Sequence, residues 1–249
     1  MYSIMNLLYL ITIVVLPVTT QAKTVSLDVI VSEIDTRVTY DRDLALNAAL
    51  VISLHGWGMR RDTYQEFVPL NRLVTHLGFV LLEPKAPYLG SWDWSKPEEV
   101  LPFLVDYAEQ EFRIDRSRIY LVGHSAGAQA IFDVASSGVI PVKGMLTLSG
   151  NGEEPLIPTK LVHVHGFRDI NISYRSGVQT VERYSLTNGC RLDPMATEVD
   201  LDGLSAIRMV FLDCTAADVL FYRVSAGHFP EYSESVLNHL LRELMQPNA

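Results

Sequence analysis

Apolar residues along this chain gather into short continuous runs, and the stretches between them carry helical spacing. Ala49–Leu54 is apolar but for Ser53 and ends in His55-Gly56, as a strand buried on both faces would. Phe79–Glu83, Arg118–Val122, Lys143–Leu148, Lys160–His165 and Val219–Val224 read as further strands, with Val25–Val31 and Arg37–Tyr40 leading them. Thr63-x-x-Glu66 resembles a capping box and predicts a helix running towards His76. Pro97-Glu98-Glu99 suits a first helical turn, after which Val100, Leu101, Leu104, Val105, Ala108 and Phe112 share one face. Pro102 within that stretch predicts a late start or a bend. Further helices are expected from Ala126 to about Ser137, over Tyr174–Thr187 and over Ser233–Met245. Strands alternating with helices predict an α/β fold: an open, mainly parallel sheet with helices on both faces. Functional residues of such a sheet follow strands at their C-terminal ends. No repeat or linker divides 23–249, which reads as one domain.

Composition narrows the function. The chain has 249 residues, 48% hydrophobic and 20% charged, which excludes disordered and small disulfide-scaffold classes. The net charge of −9 comes without any basic cluster, so nucleic acid is not an expected partner. Leu7–Leu16 is a ten-residue apolar block, too short to span a bilayer comfortably but suited to a signal peptide. Thr20 and Ala22 would form a small-residue cleavage site before Lys23, although no Lys or Arg precedes the block. Retention as an N-terminal anchor competes; the favoured reading is a signal peptide over 1–22. Export to a periplasmic or extracellular location follows, with no stable membrane insertion afterwards. Only Cys190 and Cys214 are present, and export favours their pairing over two separate buried thiols. No Cys-x-x-Cys or Cys/His cluster supports a metal site, and no cofactor is implied.

The chemistry centres on Gly123-His124-Ser125-Ala126-Gly127, which follows the strand Ile119–Val122 and opens a helix. A serine between two glycines at such a corner can take a strained turn that exposes its hydroxyl above the sheet; the plainer alternative is a helix N-cap. A serine hydroxyl needs a base, and the base needs a third group to hold it. His228, in a loop after the last strand, is favoured over His239, which lies in the last helix. The acids between Ser125 and His228 are Asp133, Asp169, Asp193, Asp200, Asp202, Asp213 and Asp218, with four glutamates. Asp169 stands just past a buried strand and is the expected partner; a surface turn linked to Arg168 is its alternative. Asp193, Asp200 and Asp202 read as members of a polar loop. Donors to a developing oxyanion are expected from the backbone N–H of Ala126 and of Trp57, in His55-Gly56-Trp57-Gly58-Met59. A plain glycine-rich turn is the lesser alternative for that loop.

These residues resemble the α/β-hydrolase superfamily, and more closely its secreted esterases grouped with polyhydroxybutyrate depolymerases and feruloyl or acetylxylan esterases. The resemblance runs from about Arg37 to Tyr232. It rests on Leu54-His55-Gly56, Gly78-Phe79-Val80, Trp92-Asp93-Trp94, Ile114–Tyr120, Gly-His-Ser-Ala-Gly, His165-Gly166-x-x-Asp169, Asn188-Gly189-Cys190 and Gly227-His228-x-Pro230. It implies Ser125 as nucleophile, His228 as general base, Asp169 as its orienter and a bond between Cys190 and Cys214. Ala128 departs from the group, which usually carries a second glycine there. Tyr88, Trp92 and Trp94 form an aromatic loop that could wall a substrate or pack into the core. Only Ser149–Thr159 separates the strands between which a cap is commonly inserted, so no large cap and an open site are expected. The expected function is hydrolysis of small-molecule or polymer-linked carboxylic esters with short or aromatic acyl groups. A serine peptidase and a non-catalytic binding module are the competing classes. The oligomeric state is not legible.

Overall fold

The continuous apolar runs become the centre of a ten-stranded sheet in the computed structural model, which describes residues 23–86, 92 and 97–248. The N-terminal apolar segment, Tyr88 and Trp94 lie outside the described residues. The strands are β1 (Thr24–Val31), β2 (Ile34–Asp41), β3 (Ala49–Leu54), β4 (Phe79–Pro84), β5 (Ile119–His124), β6 (Val142–Leu148), β7 (Lys160–Gly166), β8 (Met195–Leu201), β9 (Leu204–Val210) and β10 (Val219–Val224). The helices are α1 (Arg61–Phe67), α2 (Val74–Leu77), α3 (Pro97–Phe112), α4 (Ala126–Ser137), α5 (Tyr174–Thr187) and α6 (Glu234–Met245).

The sheet order is β1-β2-β4-β3-β5-β6-β7-β10-β9-β8. The inner strands from β4 to β10 pair parallel, and antiparallel strands extend both edges. Successive side chains of a central strand point to opposite faces, and both faces are covered. Leu50, Ile52 and Leu54 of β3 pack with Leu101 and Leu104 of α3, Phe132 of α4 and Tyr184 of α5. Ala49 and Val51 pack on the other face with Tyr64 of α1, Val74 of α2 and Leu237 and Leu240 of α6. Residues that follow the parallel strands therefore gather along one edge of a sheet held on both sides.

Three expectations are corrected. The helix opened near Thr63 does not reach His76: α1 starts at Arg61 without a side-chain cap and stops at Phe67. Pro69 has no N–H to continue it, and Val68 leaves helical geometry; a 3₁₀ turn at Leu70–Arg72 and the short α2 follow. Helix α3 does not start late; it runs from Pro97 through Pro102 to Phe112, and the proline forgoes the bond to the Glu98 carbonyl. The polar loop expected around Asp200 and Asp202 is an antiparallel hairpin, β8–β9. Its two-residue turn is Asp202-Gly203, with φ of +56° and +86°, the left-handed pair that a tight hairpin needs.

Candidate active site

Strand β5 ends at His124 and helix α4 begins at Ala126, so Ser125 alone turns the chain, at φ +55° and ψ −120°. A non-glycine residue held there costs roughly 1–3 kcal/mol, offset by the packing around it. The Ser125 N–H donates to the Leu148 carbonyl of β6 at 2.9 Å. The two flanking glycines are required by contact. A Cβ on Gly127 would lie 2.0 Å from the Leu54 carbonyl oxygen of β3, and one on Gly123 would lie 2.6 Å from the Gly127 carbonyl.

The loops after β7 and β10 are tied together by their backbones. Phe167 N–H donates to the Val224 carbonyl and Arg168 N–H to the Ala226 carbonyl, both at 2.9 Å. The Arg168 side chain reaches the Ser225 carbonyl at 3.0 Å. Arg168 is thus part of the tie that brings Asp169 to His228. Asp169 Oδ2 accepts from His228 Nδ1–H at 2.7 Å, and its Oδ1 accepts from the N–H groups of Asn171 and Ile172, both at 2.9 Å. With Nδ1 committed as donor, His228 Nε2 accepts from the Ser125 hydroxyl at 2.8 Å. Both side chains behind Ser125 are almost fully buried. A carboxylate, an imidazole and a hydroxyl in this order can move a proton off the hydroxyl as its oxygen attacks an electrophilic carbon.

The other candidates lie elsewhere. His239 lies within α6 and bonds to the Tyr222 hydroxyl at 3.0 Å. Asp193 and Asp213 pair with Arg191, and Asp218 with Lys160. The loop carrying Trp57 runs beside the elbow: a Cβ on Gly56 would sit 3.4 Å from the Ser125 Cβ. Trp57 itself is 71% exposed, and Ala126 is buried at the start of α4. Trp92 is not part of an exposed aromatic rim. It is buried, and its indole N–H donates to the His55 carbonyl at 2.7 Å.

Two further histidines take part in the site's construction. His55 Nε2 accepts from the Ala86 N–H at 3.1 Å, so its Nδ1 donates to the Gly56 carbonyl at 2.9 Å. The ring, tilted against Trp92 with centroids 5.2 Å apart, thereby pins the loop that carries Trp57. His124 donates from Nε2 to the His228 carbonyl at 2.9 Å, joining the elbow to the loop of the base. Burial pushes His124 down to about 4, so the ring stays neutral at neutral pH. Neither role is visible in the sequence, where His55 and His124 stand only as neighbours of glycine and serine motifs.

No family model matches the chain. It is 26% identical over 148 residues to a bifunctional acetylxylan esterase/xylanase of Neocallimastix patriciarum, covering 57% of this chain and 22% of that protein. It is 26% identical over 98 residues to acetylxylan esterase A of Emericella nidulans, covering 35% of this chain and 32% of that protein. The chain thus spans about a third or less of the length of these relatives. The acetyl xylan esterase of Aspergillus awamori superposes with a TM-score of 0.69 at 14% identity, over 84% of this chain and 95% of that one. A Pyrococcus furiosus esterase superposes with a TM-score of 0.60 at 15% identity, over 90% and 93%. With the strand order and the serine turn, these likenesses show that the chain has the α/β-hydrolase fold that these esterases share.

Proposed function

We propose that this chain is a serine carboxylic-ester hydrolase in which Ser125 is the nucleophile, His228 the general base and Asp169 its orienter. One observation carries the reading: the unbroken row of hydrogen bonds from Asp169 through His228 to a strained Ser125 at a strand-to-helix turn. In the first half-reaction His228 Nε2 takes the hydroxyl proton while Ser125 Oγ bonds to the ester carbon. The tetrahedral oxyanion receives the backbone N–H groups of Ala126 and Trp57. Collapse breaks the bond to the alcohol oxygen, which leaves with the proton from His228. Water then attacks the acyl-enzyme by the same route and releases the carboxylic acid.

The substrates proposed are short-chain or aromatic acyl esters, free or attached to a polymer. Exposed apolar side chains stand on three of the site's loops, namely Trp57, Phe167, Ile170 and Phe229. Residues 149–159 form no helix, and their loop is fastened to α4 and α5 through Asn151–Gln129 and Gly152–Thr180 hydrogen bonds. A site without a cap leaves room for a bulky alcohol but buries little of a long acyl chain. Export to an oxidising compartment is part of the proposal, supported by the Cys190–Cys214 disulfide.

The test is turnover of p-nitrophenyl acetate beside an aminoacyl p-nitroanilide by purified protein and its Ser125→Ala variant. The expected outcome is ester hydrolysis alone, reduced by several orders of magnitude in the folded variant. Faster cleavage of the anilide would make the chain a peptidase. No turnover of either would make it a binding module.

A further inference from the structure

Behind Asp169 stands a second row of hydrogen bonds that the proposed reaction does not use. His165, on β7, places Nε2 3.0 Å from the Ile172 carbonyl and 3.4 Å from Asp169 Oδ2. A carbonyl only accepts, so Nε2 carries the proton, and Nδ1 of the neutral ring is an acceptor. His163, two residues back on the same face of the strand, meets that acceptor with its Nε2 at 3.1 Å. His163 Nδ1 is therefore an acceptor in turn, filled by the Thr147 hydroxyl of β6 at 2.6 Å. The Ile172 carbonyl thus sets the direction of the protons from Thr147 to His165. With these nitrogens spent in hydrogen bonds, the pair is not a metal site, and no cluster of metal-ligating groups occurs among the described residues.

The surroundings hold the row in place. His163 and His165 are fully buried, and His163 stacks on Phe221 with ring centroids 5.5 Å apart. Helix α5 passes so close that a Cβ on Gly177 would lie 2.4 Å from His165 Nδ1. A glycine inside a helix costs roughly 0.5–1 kcal/mol against alanine, and here it makes room for the imidazole. Burial pushes both rings below the ordinary histidine range, so neither competes for the proton of the reaction.

We infer that His165 is a positioning residue. Its Nε2–H, donated to Ile172 and facing Asp169 Oδ2 at 3.4 Å, holds the carboxylate in the orientation in which Oδ2 receives His228, and His163 and Thr147 lock the tautomer that makes this possible. The inference rests on the reading of Ser125, His228 and Asp169 as an acid–base relay. The titratable groups facing His165 are His163 of its own strand, Asp169, His228 from the loop after β10, and the edge of Tyr174 from α5.

The experiment compares His165→Leu with His165→Gln, whose amide can offer a donor near the place of Nε2. With p-nitrophenyl acetate, His165→Leu is expected to lose about 10- to 100-fold in kcat with KM nearly unchanged. Without a competing donor, Asp169 holds the charged imidazole more strongly, so the acid limb of the pH–rate profile moves to higher pH. His165→Gln should restore most of the rate and the profile. The second readout needs no turnover: the His228 Nδ1–H proton resonance is expected to shift or broaden in His165→Leu and to hold in His165→Gln. If His165→Leu does not fold, Thr147→Val removes the first donor of the row and should move the same resonance to a smaller extent. An unmoved resonance and acid limb in whichever variant is read would overturn the inference. A moved resonance in a protein that hydrolyses no ester would overturn the esterase proposal and leave the positioning role standing.

Discussion

His55, His124, His163 and His165 are buried around one catalytic-type row, and burial lowers the proton affinity of each. This couples the stability of the site to pH with a definite sign. In the unfolded chain His124 titrates near 6.5, whereas in the folded protein it titrates at about 4. Between these values the unfolded state binds a proton that the folded state excludes. The stabilisation is complete above pH 6.5 and is lost as pH falls towards 4, on the order of 3 kcal/mol for His124 alone. His163 adds in the same direction. Glu83 opposes them: burial raises it to about 7, so its contribution is present below pH 4.5 and lost as pH rises through 7. Urea midpoints between pH 7.5 and 4 should therefore fall with acidification, and less steeply in His124→Gln, which keeps a donor but does not titrate. Equal slopes would contradict the assignment. At this scale the sequence exposes residues whose chemistry is local: Ser125 in its glycine frame, Asp169 and His228 just past strands. It hides those whose partner is remote, since the tie of His124 to the His228 carbonyl spans 104 positions. The same holds for Trp92, whose burial depends on the carbonyl of His55.

Among the elements, β3, β5, β6, β7 and β10 are legible because burial on both faces leaves almost unbroken apolar runs. The hairpin β8–β9 is not legible that way. β8 is an outer strand with most of its residues exposed, so Met195–Leu201 has no reason to alternate. Its signal was the Asp202-Gly203 pair, a short-range mark of a tight hairpin. Pro69, likewise, carried the end of α1 in plain view. The disulfide Cys190–Cys214 closes the segment holding this hairpin, joining the end of α5 to the loop after β9. Closing a 24-residue separation restricts the unfolded chain by about 3.4 kcal/mol in the chain-entropy estimate. The Cys190→Ser, Cys214→Ser double variant should unfold at lower denaturant, yet hydrolyse p-nitrophenyl acetate within about twofold of the unsubstituted rate, because neither sulfur belongs to the site. Free thiols in unreduced, denatured protein would refute the bond.

At the scale of the molecule, six parallel strands deliver their following loops to one edge, and antiparallel pairs close both flanks. The proposed nucleophile, acid and base come from the loops after β5, β7 and β10, and the loop after β3 adds Trp57. The short 149–159 connection forms no helical cap over this edge. Short and aromatic acyl esters should therefore be turned over in solution, with the rate saturating below the substrate's solubility limit. A rate that jumps only on emulsified long-chain ester would contradict the open site. The most direct measurement of the central claim is covalent trapping. Protein incubated with a fluorophosphonate is digested, and the modified residue is found by mass spectrometry. The expected result is one phosphonyl group on Ser125, formed far more slowly in His228→Ala and Asp169→Asn and absent in Ser125→Ala. Labelling at another residue, or none on a folded protein that still hydrolyses p-nitrophenyl acetate, would contradict Ser125 as the nucleophile.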